Sequence, residues 1–413
     1  MNNKNNSQLS IVNYQLNKGD ALSLPKGWEI KKLGEVCEFQ NGKAHEKIID
    51  KKGKYILINS KFISSNGEKY KKTKEQLKPL FKGDIVFVMS DVPNGQALAK
   101  CFLVDKNDFY TLNQRICVIR TNRFDKKYLF YHLNRHKYLL SFNNGENQTN
   151  LRKNDILNCP LILPPLPEQK RIVSILDRAF ETIDQAKANA EQNLKNAKEI
   201  FESYLQGVFE NNSCKKEQIK HLTSLVTKGS SPNWQGINYV DNGGIFFLTS
   251  KNVGEGELLL NNKKYLEEKF NDIQKTSILQ TGDVLTNIVG ASIGRTAIFD
   301  LEEITNINQA VCLMRCIPDK IYNYYLMYLL NSPFFKNILH DNEVNNARAN
   351  LSLTFFKNLL IPLPALSEQI KIVETIKKIS AETKKLEKIY QKKIEDLEEL
   401  KKSILQKAFT GQL

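Results

Sequence analysis

The sequence is poor in the groups that most catalytic chemistry uses. Five histidines in 413 residues leave few general bases. Seven cysteines, an odd number at irregular spacing, argue against a disulfide scaffold and point to a reducing cytoplasm. No run of about 18 apolar residues occurs, so no membrane span is predicted. The opening MNNKNNSQLS lacks an apolar core and does not read as a secretory signal. A P-loop and a GxGxxG dinucleotide turn are both missing. So is the Pro-Pro-aromatic tetrapeptide of amino-methyltransferases; Pro164-Pro165 sits in a leucine-rich context instead. Pro318-Asp319 is not followed by the acidic–lysine pair of a nuclease and reads as a turn. His45-Glu46 has no second histidine for a zinc helix. Cys312 and Cys316 share a strand without ligand partners nearby and read as buried thiols. Together these absences argue against a catalytic site in this chain.

What is present is a soluble-type composition with uneven charge. The length predicts two to four units. Hydrophobic residues are 41% and charged residues 25%, which excludes disordered and collagen-like classes. Lys and Arg number 60 against 45 Asp and Glu, a net charge of +15. Residues 1–160 hold 28 of those cations and 15 anions, a net +13, whereas residues 213–359 hold 15 and 14, a net +1. A polyanion partner fits the excess. The first segment would then supply most of the salt-sensitive affinity. The later segment would bind by shape and specific contacts.

The chain repeats itself once. LPPLPEQKRIV at 163–173 matches LPALSEQIKIV at 363–373, an offset of 200. The offset persists without a gap to Ser203, Leu205, Gln206 and Phe209, which recur as Ser403, Leu405, Gln406 and Phe409. Looser matches precede it. YLFYHLN at 128–134 resembles YLMYLLN at 325–331, and Gly83-Asp84-Ile85-Val86 resembles Gly282-Asp283-Val284-Leu285. Asn113-Gln114 resembles Asn308-Gln309, and Asn59-Ser60-Lys61 resembles Thr249-Ser250-Lys251. Four ordered matches and a gapless tail argue for duplication over chance.

Both tails read as long helices. Glu168-Gln169 and Glu368-Gln369 open them, with the acid in the first turn where the helix dipole favours it. Core-like positions then step by three and four. They include Leu176, Ile183, Ala190 and Ile200 in the first tail, and Ile376, Leu386, Tyr390, Leu397 and Leu400 in the second. Small residues in the middle of the first seam face bulky ones in the second, so the helices are expected to pack on each other. Run antiparallel, they would form a rod with a globular half at each end, related by a pseudo-two-fold.

The globular regions read as α+β. GDIVFVMS (83–90), QRICVIRT (114–121), GGIFFLTS (243–250) and GDVLTNIVG (282–290) are strand-like and bounded by Gly and Asn turns. Base reading needs bidentate or cationic groups on such turns. The candidates are Lys61, Asn94, Gln96, Gln114, Arg115 and Arg152 in the first half. In the second they are Lys251, Asn252, Arg295 and Arg348.

Two variable halves, each followed by an equal helix that opens on a Pro–Glu–Gln turn, resemble the specificity subunits of type I restriction–modification systems. The matching residues are Leu24-Pro25-Lys26-Gly27-Trp28 with Leu33-Gly34-Glu35, then Gln148 to Leu151. They continue with Pro164-Pro165-Leu166-Pro167-Glu168-Gln169 and the final Lys407-Ala408-Phe409-Thr410-Gly411-Gln412-Leu413. The second half departs by lacking the Leu-Pro-x-Gly-Trp entry. The resemblance implies two mixed α/β target recognition domains joined by two long helices packed as an antiparallel coiled coil. The expected limits are a flexible lead over 1–20, recognition domains over 21–163 and 213–362, and spacer helices over 164–212 and 363–413. It implies a cytoplasmic, non-catalytic chain that reads a two-part target in double-stranded DNA. It also implies two copies of a methyltransferase subunit and a motor–nuclease subunit as partners. S-adenosylmethionine, Mg and ATP would belong to those partners, with no cofactor or metal on this chain. A coiled-coil scaffold without DNA reading, and a stand-alone nuclease, are the alternative classes.

Overall fold

In the computed structural model each Pro-rich turn leads into one long helix. The first spans Leu166–Glu210, 45 residues, and the second Leu366–Phe409, 44 residues. Residues 24–92, 95–143, 145, 147–210, 214–241, 243–344 and 351–413 are described. The lead over 1–20, Asn94 and Arg348 lie outside them.

The chain forms two compact units, one of residues up to 188 together with 395–413, the other of residues 189–394. The boundary therefore cuts through both long helices. Each unit keeps the start of one helix and the end of the other.

The first unit is built on an antiparallel sheet with the order Glu38–Asn41, Ile116–Arg120, Ile85–Val88, Cys101–Leu103. Ile85–Val88 is apolar at every position because the strand is covered on both faces. A second sheet orders Lys71–Thr73, Tyr55–Ile58 and Tyr110–Leu112, the last pair parallel. Glu29–Lys32 pairs with Pro160–Leu163 and brings the chain to the helix start.

The second unit repeats this plan. Its main sheet orders Thr223–Lys228, Val311–Cys316, Val284–Asn287 and Thr296–Ile298. Its second sheet orders Tyr239–Val240, Tyr265–Leu266, Ile245–Leu248 and Thr305–Ile307, again with a parallel last pair. Lys216–Gln218 pairs with Leu360–Pro362 before the second long helix.

Three matching locks occur in both units. Gln169 is buried in the first turn of its helix. Its Nε2 donates to the Pro164 carbonyl at 2.9 Å, and its Oε1 accepts from Asp125 N at 2.7 Å. Gln369 does the same with the Pro364 carbonyl at 2.9 Å and Tyr322 N at 2.8 Å. Tyr128 Oη donates to the Ile162 carbonyl, as Tyr325 Oη does to that of Pro362. Arg120 forks onto Asp84 at 2.8 and 2.7 Å, and Arg315 onto Asp283 at 2.8 Å for both bonds. Each carboxylate also accepts a backbone N–H, from Phe81 or Gln280. These bonds hold both guanidinium groups above their ordinary pKa.

Within the first unit the two helices run antiparallel. Lys187 pairs with Glu398 at 2.6 Å, Asp184 with Lys401 at 2.8 Å, and Arg171 Nη2 donates to the Leu413 carbonyl at 2.8 Å. One partner rises in number as the other falls. Leu176, Phe180 and Ile183 share a core with Ala408 there. In the second unit Leu205 and Phe209 share a core with Val373 and Ile376.

The seam departs from the expected one at three of the named positions. Leu176, Ile183, Ala190, Ile376, Tyr390 and Leu397 are buried or half-buried. Ile200, Leu386 and Leu400 are not seam residues: they are 62%, 41% and 47% exposed. The positions turned inward are one residue later, at Phe201, Glu387 and Lys401. A three-and-four alternation has two phases, and three exposed apolar residues selected the wrong one. Lys401 concealed the right phase. Its Nζ lies 4.7 Å from the centre of the Phe180 ring and bonds Asp184, so its stem lines the seam while its charge reaches water.

Candidate nucleic-acid interface

Strand register decides which turns gather. In the first unit Asn41 lies opposite Cys117, Val88 opposite Ile116, and Ile58 beside Leu112. The turns after Asn41, Ile58 and Val88, and the turn before Ile116, thus meet at one end of the sheets. Backbone bonds tie them together: Gly42 N to the Ile116 carbonyl, Asn113 N to that of Ile58, and Met89 N to that of Arg115. Leu151 N bonds the Met89 carbonyl and draws in the segment before Arg152.

This end carries Lys61, Gln96, Gln114, Arg115 and Arg152, all exposed. Among the described residues, no ion pair occupies Lys61, Arg115 or Arg152. Gln148 Nε2 donates to Ser90 Oγ at 2.9 Å, and Gln114 Nε2 to Glu46 Oε1 at 3.3 Å. The turn bearing Gln96 is preset by Asp91, whose Oδ2 accepts from Ala97 N and Leu98 N at 2.6 and 3.1 Å. A Cβ at Gly95 would lie 2.2 Å from that oxygen, so a side chain there would displace the Asp91 carboxylate. His45 is buried between the Lys43 carbonyl and Thr111 Oγ1, and burial lowers its pKa. It is a strut of this end rather than a free base.

The second unit gathers the equivalent turns. Lys228 lies opposite Cys312, Asn287 opposite Val311, and Leu248 beside Ile307. Ile288 N bonds the Ala310 carbonyl, Asn308 N that of Leu248, and Leu351 N that of Ile288. Asn287 Nδ2 donates to the Ser250 carbonyl and to Ser292 Oγ, joining two of the turns. Lys251 and Arg295 are exposed here.

Asn252 does not belong with them. It is buried, its Oδ1 accepts from Thr249 N and Thr249 Oγ1, and its Nδ2 donates to the Leu259 carbonyl. Its amide is used in capping the turn, which leaves nothing for a base edge.

One side chain at this end is missing from the sequence-derived candidates: Trp234, which is 85% exposed. A tryptophan between Asn233 and Gln235 in a Gly- and Ser-rich stretch was the available signal. Gln169 and Gln369 read from sequence only as helix openers, although their exact recurrence marked a shared structural role. Among the described residues no group of three or more His, Cys, Asp or Glu side chains converges as a metal site would. No helix there is long and apolar enough to cross a membrane.

Comparison with known proteins agrees with this architecture. The profile of the type I restriction modification DNA specificity domain matches residues 25–196 and again 213–396. The MjaVIII type I restriction enzyme specificity subunit of Methanocaldococcus jannaschii is 25% identical over 410 residues, covering 95% of this chain and 94% of its own. The EcoBI specificity subunit of Escherichia coli is 27% identical over 334 residues, covering 73% and 69%. Among solved structures, a chain from a type I restriction–modification complex superposes with a TM-score of 0.76 at 21% identity, covering 95% of this chain and all of that one. The HsdS subunit of Thermoanaerobacter tengcongensis gives 0.57 at 22% identity, covering 96% and 100%. The duplicated profile spans most of the sequence, and the chain belongs to the specificity subunits of type I restriction–modification systems, their non-catalytic DNA-target-recognising component.

Proposed function

We propose that each unit reads one part of a split DNA target through the turns gathered at its sheet end. The observation that carries this reading is the duplication of that end. In both units the same strand register brings exposed cations and amides together: Lys61, Gln114 and Arg115 in one, Lys251, Arg295 and Gln309 in the other. Cations without ion pairs are available to phosphates, and amides and guanidinium groups on turns suit base edges.

In this reading the long helices fix the distance between the two parts of the target. Their exposed faces dock two methyltransferase subunits, and a motor–nuclease subunit joins for restriction. S-adenosylmethionine, Mg and ATP act in those partners. Removing a heptad from each helix takes away about 10 Å, roughly three base pairs of duplex. The spacer should shorten or assembly should fail, and an active assembly with an unchanged spacer would refute the role of the helices.

The deciding experiment is single-molecule methylation profiling of host DNA with the gene present and deleted. The expected result is loss of one two-part motif carrying methyladenine in both parts. If no motif changes even with the methyltransferase genes supplied, the chain is a scaffold and not a reader.

A further inference from the structure

The two sheet ends differ in the turn that leaves the first strand of the main sheet. In the first unit the turn after Gly42 is Lys43-Ala44-His45-Glu46-Lys47, charged and held by the buried His45. In the second unit the turn after Gly229 is Ser230-Ser231-Pro232-Asn233-Trp234-Gln235-Gly236. Gly229 presses on the neighbouring turn so closely that a Cβ would lie 1.6 Å from the Ile307 carbonyl oxygen. The start of the segment is therefore seated against Ile307 and Asn308.

This turn is rigid. Pro232 and Ile237 are buried at its two flanks, and Ile237 N bonds the Pro232 carbonyl at 3.1 Å. Gly236 takes the left-handed conformation that closes it, and Gln235 Nε2 donates to Ser230 Oγ at 3.1 Å. Trp234 stands on its outer side, 85% exposed. Burying an indole removes about 150–250 Å² from water, and folding leaves most of that area unused here. A preset turn that holds its largest apolar ring in solvent is built to place the ring against something else.

The charge distribution says what. Residues 213–359 carry a net charge of only +1, against +13 over 1–160, so the second unit has little general pull on phosphates. Base faces offer an apolar, flat partner that needs no charge. We propose that Trp234 is a DNA-contacting residue of the second unit and packs its indole on a nucleobase at an unstacked step of the second half-site. The inference rests on the DNA-reading function proposed above.

The test uses the full chain assembled with its methyltransferase subunits and the duplex found by methylation profiling. 2-Aminopurine is placed at successive positions of the second half-site. Wild type should raise its fluorescence where the probe flanks the opened step and loses a stacking neighbour, and Trp234→Ala should abolish that signal and weaken specific binding by about tenfold to a hundredfold. Trp234→Phe should recover part of both. Arg115→Ala, in the other unit, should weaken binding and leave the signal in place. An unchanged melting temperature of Trp234→Ala separates the effect from misfolding. If Trp234→Ala binds the duplex as wild type does, the inference is overturned. It is equally overturned if the variant fails to bind the methyltransferase subunits without DNA, because the indole then belongs to a protein interface. If the wild-type assembly shows no sequence-specific binding at all, the functional reading itself fails.

Discussion

The two units share a frame and differ on a face. Both hold a glutamine that clamps its helix start, a tyrosine that bonds the preceding strand, and an Asp–Arg fork at the far end of the main sheet. Their sheet ends share an exposed lysine and an exposed glutamine, Lys61 with Lys251 and Gln114 with Gln309, and differ in overall charge and in one turn. One presents unpaired cations on a strongly basic segment; the other is nearly neutral and presents Trp234. Duplication kept the residues whose loss would leave buried polar groups unpaired, and let the exposed turns drift. A buried donor or acceptor without a partner costs stability directly, whereas an exposed turn residue costs almost nothing to replace.

The largest expected effects fall on the Asp–Arg forks. Asp84→Ala and Asp283→Ala each strand a half-buried guanidinium and a backbone N–H. Each should destabilise its own unit by about 3 kcal/mol. Urea unfolding followed by hydrogen exchange resolved along the chain would show this. A loss confined to one variant would break the claim of a common frame. Next come Gln169→Leu and Gln369→Leu, which each orphan a proline carbonyl and a backbone N–H. About 2 kcal/mol is expected from either, with early exchange at the adjoining helix start.

Acid should separate the units. His132 and His136 are buried in the first unit; burial holds His132 well below its ordinary pKa and pushes His136 down to about 4. The aligned positions in the second unit are Leu329 and Pro333. Below an unfolded pKa of about 6.5 the unfolded chain takes up protons that the folded unit refuses. Stability of the first unit is therefore complete above that pH and declines as pH falls toward 4. Hydrogen exchange at pH 7 and pH 5 should show protection of Pro160–Leu163 falling while that of Leu360–Pro362 holds. Equal losses would remove the histidines from the account.

The smallest effect sharpens the seam. Ile200→Ser and Leu386→Ser should change stability by less than about 0.5 kcal/mol, while Phe201→Ala costs about 2 kcal/mol. Thermal unfolding of the three variants would decide the phase.

Much of this was legible in the residues. The 200-residue offset announced two copies of one plan, and the Pro–Glu–Gln turns announced where each long helix begins. The strands around Gly83-Asp84 and Gly282-Asp283 were legible from their β-branched runs. The seam phase was not, because Lys401 and Glu387 are long polar side chains at inward positions, and Lys401 lies over the Phe180 ring. Asn252 misled for the opposite reason: an amide on a turn looks free until its hydrogen bonds are counted.

The duplication, the helix starts and the imbalance of charge are written in the order of residues, because they depend on local order along the chain. Folding in three dimensions sets which turns share an end, which cations lack ion pairs among the described residues and which indole is left in water. Those properties depend on strand register and on contacts between residues far apart in sequence, and no local pattern encodes them.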